Sequence, residues 1–229
     1  MTDIHSHVLP NVDDGSKSAE QSLLMLASAA SKGVKNIVCT PHYRWQYNLG
    51  QERIREEFDK LVYAVKEKGI PVNLYLGREI YEMSGFNSII REHPDMAMNG
   101  KPYVLGEFDV FEKRDPANSA YELKRIGYTL IAAHVERYLY LTLEDIYEIK
   151  KHGGLIQVNA KSLTKKYKKI YGRRIRELFS EGFVDFVAGD VHGIGDNAIT
   201  EAYEYVNRKY GAKTARAVFI ENARQIIEG

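Results

Sequence analysis

The chain has one cysteine, one tryptophan and six prolines among 229 residues, and no surplus of charge: 32 basic residues stand against 31 acidic ones. A lone cysteine, Cys39, excludes an intrachain disulfide and leaves stability to packing. A net charge of +1 removes bulk electrostatics as a reason to bind nucleic acid or a membrane surface, so no nucleic-acid partner is expected. No apolar run approaches the roughly 18 residues that span a bilayer. Met1-Thr2-Asp3-Ile4-His5 also lacks the basic and apolar stretches of a signal peptide. No membrane insertion is expected, and the expected location is cytoplasmic. No Gly/Ser-rich or Pro-rich linker interrupts the chain, so residues 1–229 read as one domain; nothing in the sequence speaks to its oligomeric state.

With 44% hydrophobic and 28% charged residues the composition is that of a folded globular chain. Short apolar, β-rich runs alternate with longer amphipathic stretches, the pattern of an α/β fold with parallel strands. Strands are predicted at 2–5, 36–40, 72–76, 103–108, 129–133, 154–158 and 184–188. Helices are predicted after Ser18 and over 51–68, 118–126, 143–152, 173–181 and 197–210. In the first helix Ser18 caps the N-terminus, Leu23, Leu26, Ala27 and Ala30 share a face, and Gly33 ends it. All six prolines fall near predicted boundaries, where a missing N–H costs little.

Seven such units build either an open doubly wound sheet or a barrel, and periodicity does not choose between them. Polar residues at the strand ends do, because a barrel gathers chemistry from the carboxyl ends of many strands. Those ends carry His5 and His7, His42, Glu79, Glu107, His134, and Asp190 with His192. Only the strand ending near Asn159 supplies no ligand-type residue. Imidazoles and carboxylates on one rim are ligands for first-row metals. His-x-His alone is a short pattern with many accidental matches, although residues two apart on a strand do point the same way. The joint placement carries the metal reading. Asp14 is a further candidate ligand, with an ordinary Asp-Asp-Gly turn as the alternative. His93, beside Pro94, and His152, near a helix C-terminus, need no metal to explain them.

These residues resemble the polymerase and histidinol phosphatase (PHP) superfamily, and within it the CpsB/YwqE-type bacterial protein-tyrosine phosphatases. The segments that carry the resemblance are Asp3-Ile4-His5-Ser6-His7, Asp13-Asp14-Gly15, Thr40-Pro41-His42, Gly77-Arg78-Glu79-Ile80-Tyr81, Ala133-His134-Val135-Glu136-Arg137-Tyr138, Gly189-Asp190-Val191-His192 and Phe219-Ile220-Glu221-Asn222-Ala223. The resemblance implies a single-domain, distorted (β/α)7 TIM-like barrel holding two or three metal ions. Manganese is the ion implied, with iron, zinc, magnesium or cobalt as alternatives. It implies a first ion on His5, His7, Glu79 and Asp190, a second on Glu79, Glu107 and His134, and a third on Asp14, His42 and His192. The implied activity is hydrolysis of phosphotyrosine, on the tail of a bacterial tyrosine kinase controlling capsule or exopolysaccharide synthesis. Histidinol-phosphate phosphatase and a catalytically weak regulatory module are the alternatives on the same scaffold.

Arg137 is placed in sequence to clamp a phosphate; the alternative is a surface arginine paired with Glu136. Relatives carry a late Arg-Pro that is missing after His192 here, and Arg44 is the candidate substitute. Cysteine chemistry is excluded, because Cys39 and Arg44 do not form a Cys-x5-Arg cradle. Lys161, Lys165, Lys166, Lys168, Lys169, Arg173, Arg174 and Arg176 form a run without acids that suits an acidic phosphopeptide or a solvated face. Among 16 tyrosines, Tyr43, Tyr47, Tyr81 and Tyr138 join Trp45 past strand ends as a candidate slot for a phosphotyrosyl ring.

Overall fold

The computed structural model describes residues 1–83 and 85–228. The chain runs through β1 (Thr2–Ser6), α1 (Ala19–Ser31), β2 (Asn36–Cys39), β3 (His42–Tyr43), α2 (Gln51–Glu67), β4 (Asn73–Leu76), β5 (Glu79–Tyr81) and α3 (Phe86–Glu92). It continues through β6 (Tyr103–Glu107), α4 (Pro116–Arg125), β7 (Thr129–Ala132), α5 (Leu143–Lys151), β8 (Leu155–Asn159), α6 (Lys168–Ser180), β9 (Phe186–Ala188) and α7 (Ile199–Tyr210). Short helices α8 (Ala212–Arg216) and α9 (Arg224–Ile227) close it. No helix among the described residues is long and apolar enough to cross a membrane.

All strand pairs are parallel, in the orders β1-β2-β4 and β3-β5-β6-β7-β8-β9. A parallel bridge between Ser6 and Val191 joins β1 to the end of β9, so the two ladders form one curled half-barrel. The seven predicted strands are thus nine segments. Two of them break and resume after two residues, at Thr40-Pro41 and Gly77-Arg78, and change ladder as they do so. Pro41 has no N–H to give a ladder, and the buried Arg78 guanidinium holds the break by donating to the carbonyls of Pro41 (3.1 Å) and His42 (2.6 Å).

Alternate residues along the strands enter different cores, as the pleat requires. Ile37, Cys39, Val104, Leu130 and Ala132 pack with the helices, whereas Val38, Leu105, Ile131 and Ala133 fill the concave side. That inner core is closed from below by Ala223 and Ile226 of the C-terminal segment. The same parity aims Glu107, two residues past Leu105, and Gln157 and Asn159, two and four past Leu155, into the concave mouth above it.

The predicted helices are present, and α3 and the C-terminal pair are additional. Ser18 caps α1 by accepting from the Gln21 amide at 3.1 Å. Its buried stripe is Ser22, Met25, Leu26 and Ala29, one position round from the predicted face, and Ala27 is exposed. The polar Ser22 is buried because its hydroxyl donates to Ser16 Oγ at 2.8 Å, a pairing that apolar periodicity does not register.

After β1 the chain doubles back, and the Ser16 amide donates to the His7 carbonyl at 3.1 Å. A Cβ on Gly15 would fall inside the van der Waals envelope of that carbonyl and of the His7 Cβ. Gly15→Ala is therefore expected to cost at least about 2 kcal/mol, because backbone must move. Thermal denaturation and metal analysis should show a lower midpoint and less bound metal together.

Candidate metal centre

All nine predicted ligands meet in the mouth of the half-barrel. His5 and His7 come from the end of β1, His42 and Glu79 open β3 and β5, and Glu107 ends β6. His134 and Asp190 follow β7 and β9 in the left-handed region, at φ 34° and φ 50°. Each such conformation costs a non-glycine residue about 1 kcal/mol or more, and here it turns the side chain back over the mouth. Asp14 and His192 sit on the outer loops.

Three overlapping groups have ligand atoms within 4.8 Å of one another: His5 with His7 and Asp190; His42 with Glu79 and Glu107; and His7 with Asp14, His42 and His192. His134 Nε2 lies 2.9 Å from Glu79 Oε1 and 3.8 Å from Glu107 Oε1. Glu79 is central, with Oε2 3.2 Å from both His5 Nε2 and His7 Nε2 and 2.9 Å from His42 Nδ1. The two Nε2 atoms are themselves 3.2 Å apart. Ligands held about 2.1 Å from one ion stand roughly 3.0–3.4 Å from each other, so these edges have the size of a coordination polyhedron.

Hydrogen bonding does not account for the cluster. Asp14 Oδ1, His42 Nδ1, Glu79 Oε2 and Glu107 Oε2 are buried without a hydrogen-bond partner, although His42 Nδ1 and Glu79 Oε2 are close. Burial alone would lower the His5 imidazole, but the Glu79 and Asp190 carboxylates override it and raise it to about 10. Burial lowers His134 to about 4 despite its bond to Glu79. Burial, reinforced by the charge on Glu79, raises Glu107 to about 7. Protons are thus held where a cation would otherwise balance the carboxylates. The donor set and its orphaned atoms fit metal ions.

The sequence reading missed the residues that aim the ligands. Asp13, beside the predicted Asp14, accepts from the Gly15 amide (2.9 Å) and the His42 amide (3.0 Å), and its Oδ2 lies 2.8 Å from His7 Nδ1. That contact takes the His7 Nδ1 proton and leaves Nε2 for an ion. The strand that ends near Asn159, predicted to contribute nothing, supplies a relay. Gln157 Oε1 accepts from the His134 amide (2.8 Å) and faces His5 Nδ1 (3.2 Å), while its Nε2 donates to Asn159 Oδ1 (2.9 Å). Asn159 Nδ2 then donates to Asp190 Oδ2 at 2.6 Å. Neutral amides are not ligand types, and their only sequence signal is parity with Leu155.

A cleft of about 360 Å³ opens over the cluster, lined also by Arg44, Arg137, Lys161, Ser162, Tyr167 and Tyr171. Arg44 reaches Asp14 (3.4 Å) and Glu107 (3.7 Å). Arg137 does not pair with Glu136, whose buried carboxylate accepts from the Asn159 amide at 3.0 Å. Lys161, from the basic run, lies 3.4 Å from Asp190 Oδ2; the Lys168 side chain is outside the described residues. Of the predicted aromatic slot only Tyr47 meets the cluster, its ring stacked on that of His42 at 5.9 Å with the Arg44 guanidinium 5.2 Å from its centre. Tyr138 is buried beneath His134, Tyr43 packs against Arg78, Tyr81 donates to Asp109, and Trp45 lines a separate cavity. His93 and His152 lie away from the cluster, at the C-terminal ends of α3 and α5, and Cys39 is a buried thiol that burial pushes up.

A curled parallel sheet with imidazoles and carboxylates converging in its mouth defines a metal-dependent hydrolase. The chain belongs to the CpsB/CapC family of capsular polysaccharide synthesis, whose model matches residues 1–228. It is 31% identical to the tyrosine-protein phosphatase CpsB of Streptococcus pneumoniae, over 99% of this chain and 98% of that one. It is 27% identical to the tyrosine-protein phosphatase YwqE of Bacillus subtilis, over 99% and 91%. The fold matches a crystal structure from work on YwqE and CpsB, described as metal-dependent tyrosine phosphatases, with TM-score 0.86 at 26% identity, covering 94% of this chain and 90% of that one. Histidinol phosphate phosphatase from Lactococcus lactis shares the fold at 13% identity, with TM-score 0.62 and coverage of 95% and 94%.

Two outcomes follow from the geometry. Asp13→Asn should lower metal affinity roughly ten- to a hundredfold without unfolding the protein, as read by metal titration. His5 is protonated at neutral pH and Glu107 partly so, and a cation must displace these protons, so affinity should rise as pH rises through about 7. Calorimetry in buffers of different ionisation enthalpy should record the protons released.

Proposed function

We propose that the chain is a metal-dependent protein-tyrosine phosphatase. Its ligands are His5, His7, Asp14, His42, Glu79, Glu107, His134, Asp190 and His192, holding two or three ions of which manganese is the proposed occupant. The observation that carries the reading is the cleft itself: seven of the nine ligand-type side chains line it, His5 and His7 lie buried beneath, and Arg44, Arg137 and Lys161 stand around them. The tyrosine phosphatases among its relatives support the choice of substrate. The proposed physiological substrate is a phosphotyrosine on the tail of a tyrosine kinase that governs capsule or exopolysaccharide synthesis.

Ions held by these side chains would supply Lewis-acid charge to the phosphoryl group and would lower the pKa of water there. The remaining work falls to the chain. Arg137 is half-buried and forms no ion pair among the described residues, so its planar fork is free to take two phosphoryl oxygens. Arg44, directly after β3, is partly spent on Asp14 and Glu107 and offers its remaining donors. Lys161, two residues past the end of β8, adds a third positive charge. The phenolate leaving group has a pKa of about 10, which lowers the demand for a general acid.

With added manganese, a phosphotyrosyl peptide should be turned over in clear preference to histidinol phosphate, and chelation should abolish both activities. The reverse preference would sink the tyrosine-phosphatase reading. Arg137→Ala should retain its metal while kcat/KM falls roughly a hundredfold; loss of metal in that variant would instead make Arg137 a support of the ligand shell.

A further inference from the structure

Two tyrosines on the wall of the cleft hold neither metal nor phosphate. Tyr167 and Tyr171 stand four residues apart at the start of α6, on one face of the helix. Both are half-buried. Lys166 Nζ sits 5.2 Å from the centre of the Tyr167 ring, and Tyr171 packs against the main core. Tyr171 is thus anchored in the core, and both rings border the cleft. Every other side chain lining the cleft is charged or polar, so these rings are its only large apolar surface among the described residues.

The floor lies deep, with Glu79, His134 and Asp190 at most 3% exposed. A phosphorus atom reaches that depth only on a long side chain, and the linking atoms then pass the wall. An alkyl ester of serine is several ångströms shorter and has no ring to set against it.

We propose that Tyr167 and Tyr171 form an aryl subsite, which receives the phenyl ring of the substrate by offset or edge-to-face stacking and sets the preference for aryl over alkyl phosphate monoesters. The subsite rests on the phosphatase reading and adds to it the residues that select the ester. They position substrate and take no part in the chemical step.

Binding of two inert probes to the manganese-loaded protein tests this: benzylphosphonate, which carries the ring, and methylphosphonate, which does not. Wild type should bind benzylphosphonate more tightly. Tyr167→Ala should weaken it by about tenfold while leaving methylphosphonate unchanged, and Tyr167→Phe should restore wild-type binding. Tyr171→Leu, which still fills the core side, should weaken benzylphosphonate in the same way. For the phosphotyrosyl peptide these losses should appear in KM, with kcat and metal content held. Equal affinity of wild type for both probes, or an equal fall for both in the variants, overturns the subsite. Hydrolysis of any phosphomonoester by wild type tests the phosphatase reading separately.

Discussion

Everything in this protein is arranged around one electrostatic problem: four carboxylates and five imidazoles crowd into one mouth, most of them buried. Glu79 sits at its centre, with one oxygen equidistant from two ring nitrogens and close to a third. Buried like charges at this spacing are unfavourable unless protons or cations intervene, which is why Glu107 is pushed up and His5 is held protonated. The fold must therefore supply rigidity that the cluster lacks. It does so with hydrogen bonds from Asp13, Gln157 and Asn159 to the candidate ligands His7, His5 and Asp190.

The same problem explains where strain is stored. His134 and Asp190 each take a left-handed conformation just past a strand, and each is secured by its own amide: His134 donates to Gln157, and Asp190 donates to the His5 carbonyl at 2.8 Å. The buried Asp3 carboxylate ties the same seam by accepting from the amides of His5 and Gly189. Local strain is thus offset by contacts to strands distant in sequence, and the mouth holds its shape only when the curled sheet is complete.

Much of this was legible in the sequence, for physical reasons that vary by element. Strands show themselves through continuous apolar runs, and ligands through chemical type at the strand ends, so the nine candidates converged. Asp13 was legible only as half of an Asp-Asp turn, since nothing local reveals that its second oxygen turns towards His7. Gln157 and Asn159 carried no signal beyond their parity. The aromatic slot is reduced to Tyr47, because proximity to a strand end does not say whether a ring points into the mouth, under it, or away from it. Tyr138 goes under, and Tyr81 turns aside to Asp109.

The two strand breaks carry a further lesson. His42 and Glu79 are the first residues after the breaks, and they face each other as register partners of β3 and β5. Their separation is thus set by the backbone ladder rather than by a loop. A one-residue insertion or deletion at Thr40-Pro41 or Gly77-Arg78 would turn one ligand to the opposite face of the sheet. Among diverging members of the family, length variation should therefore collect in the outer loops, and these two dipeptides should keep their length even where their residues drift.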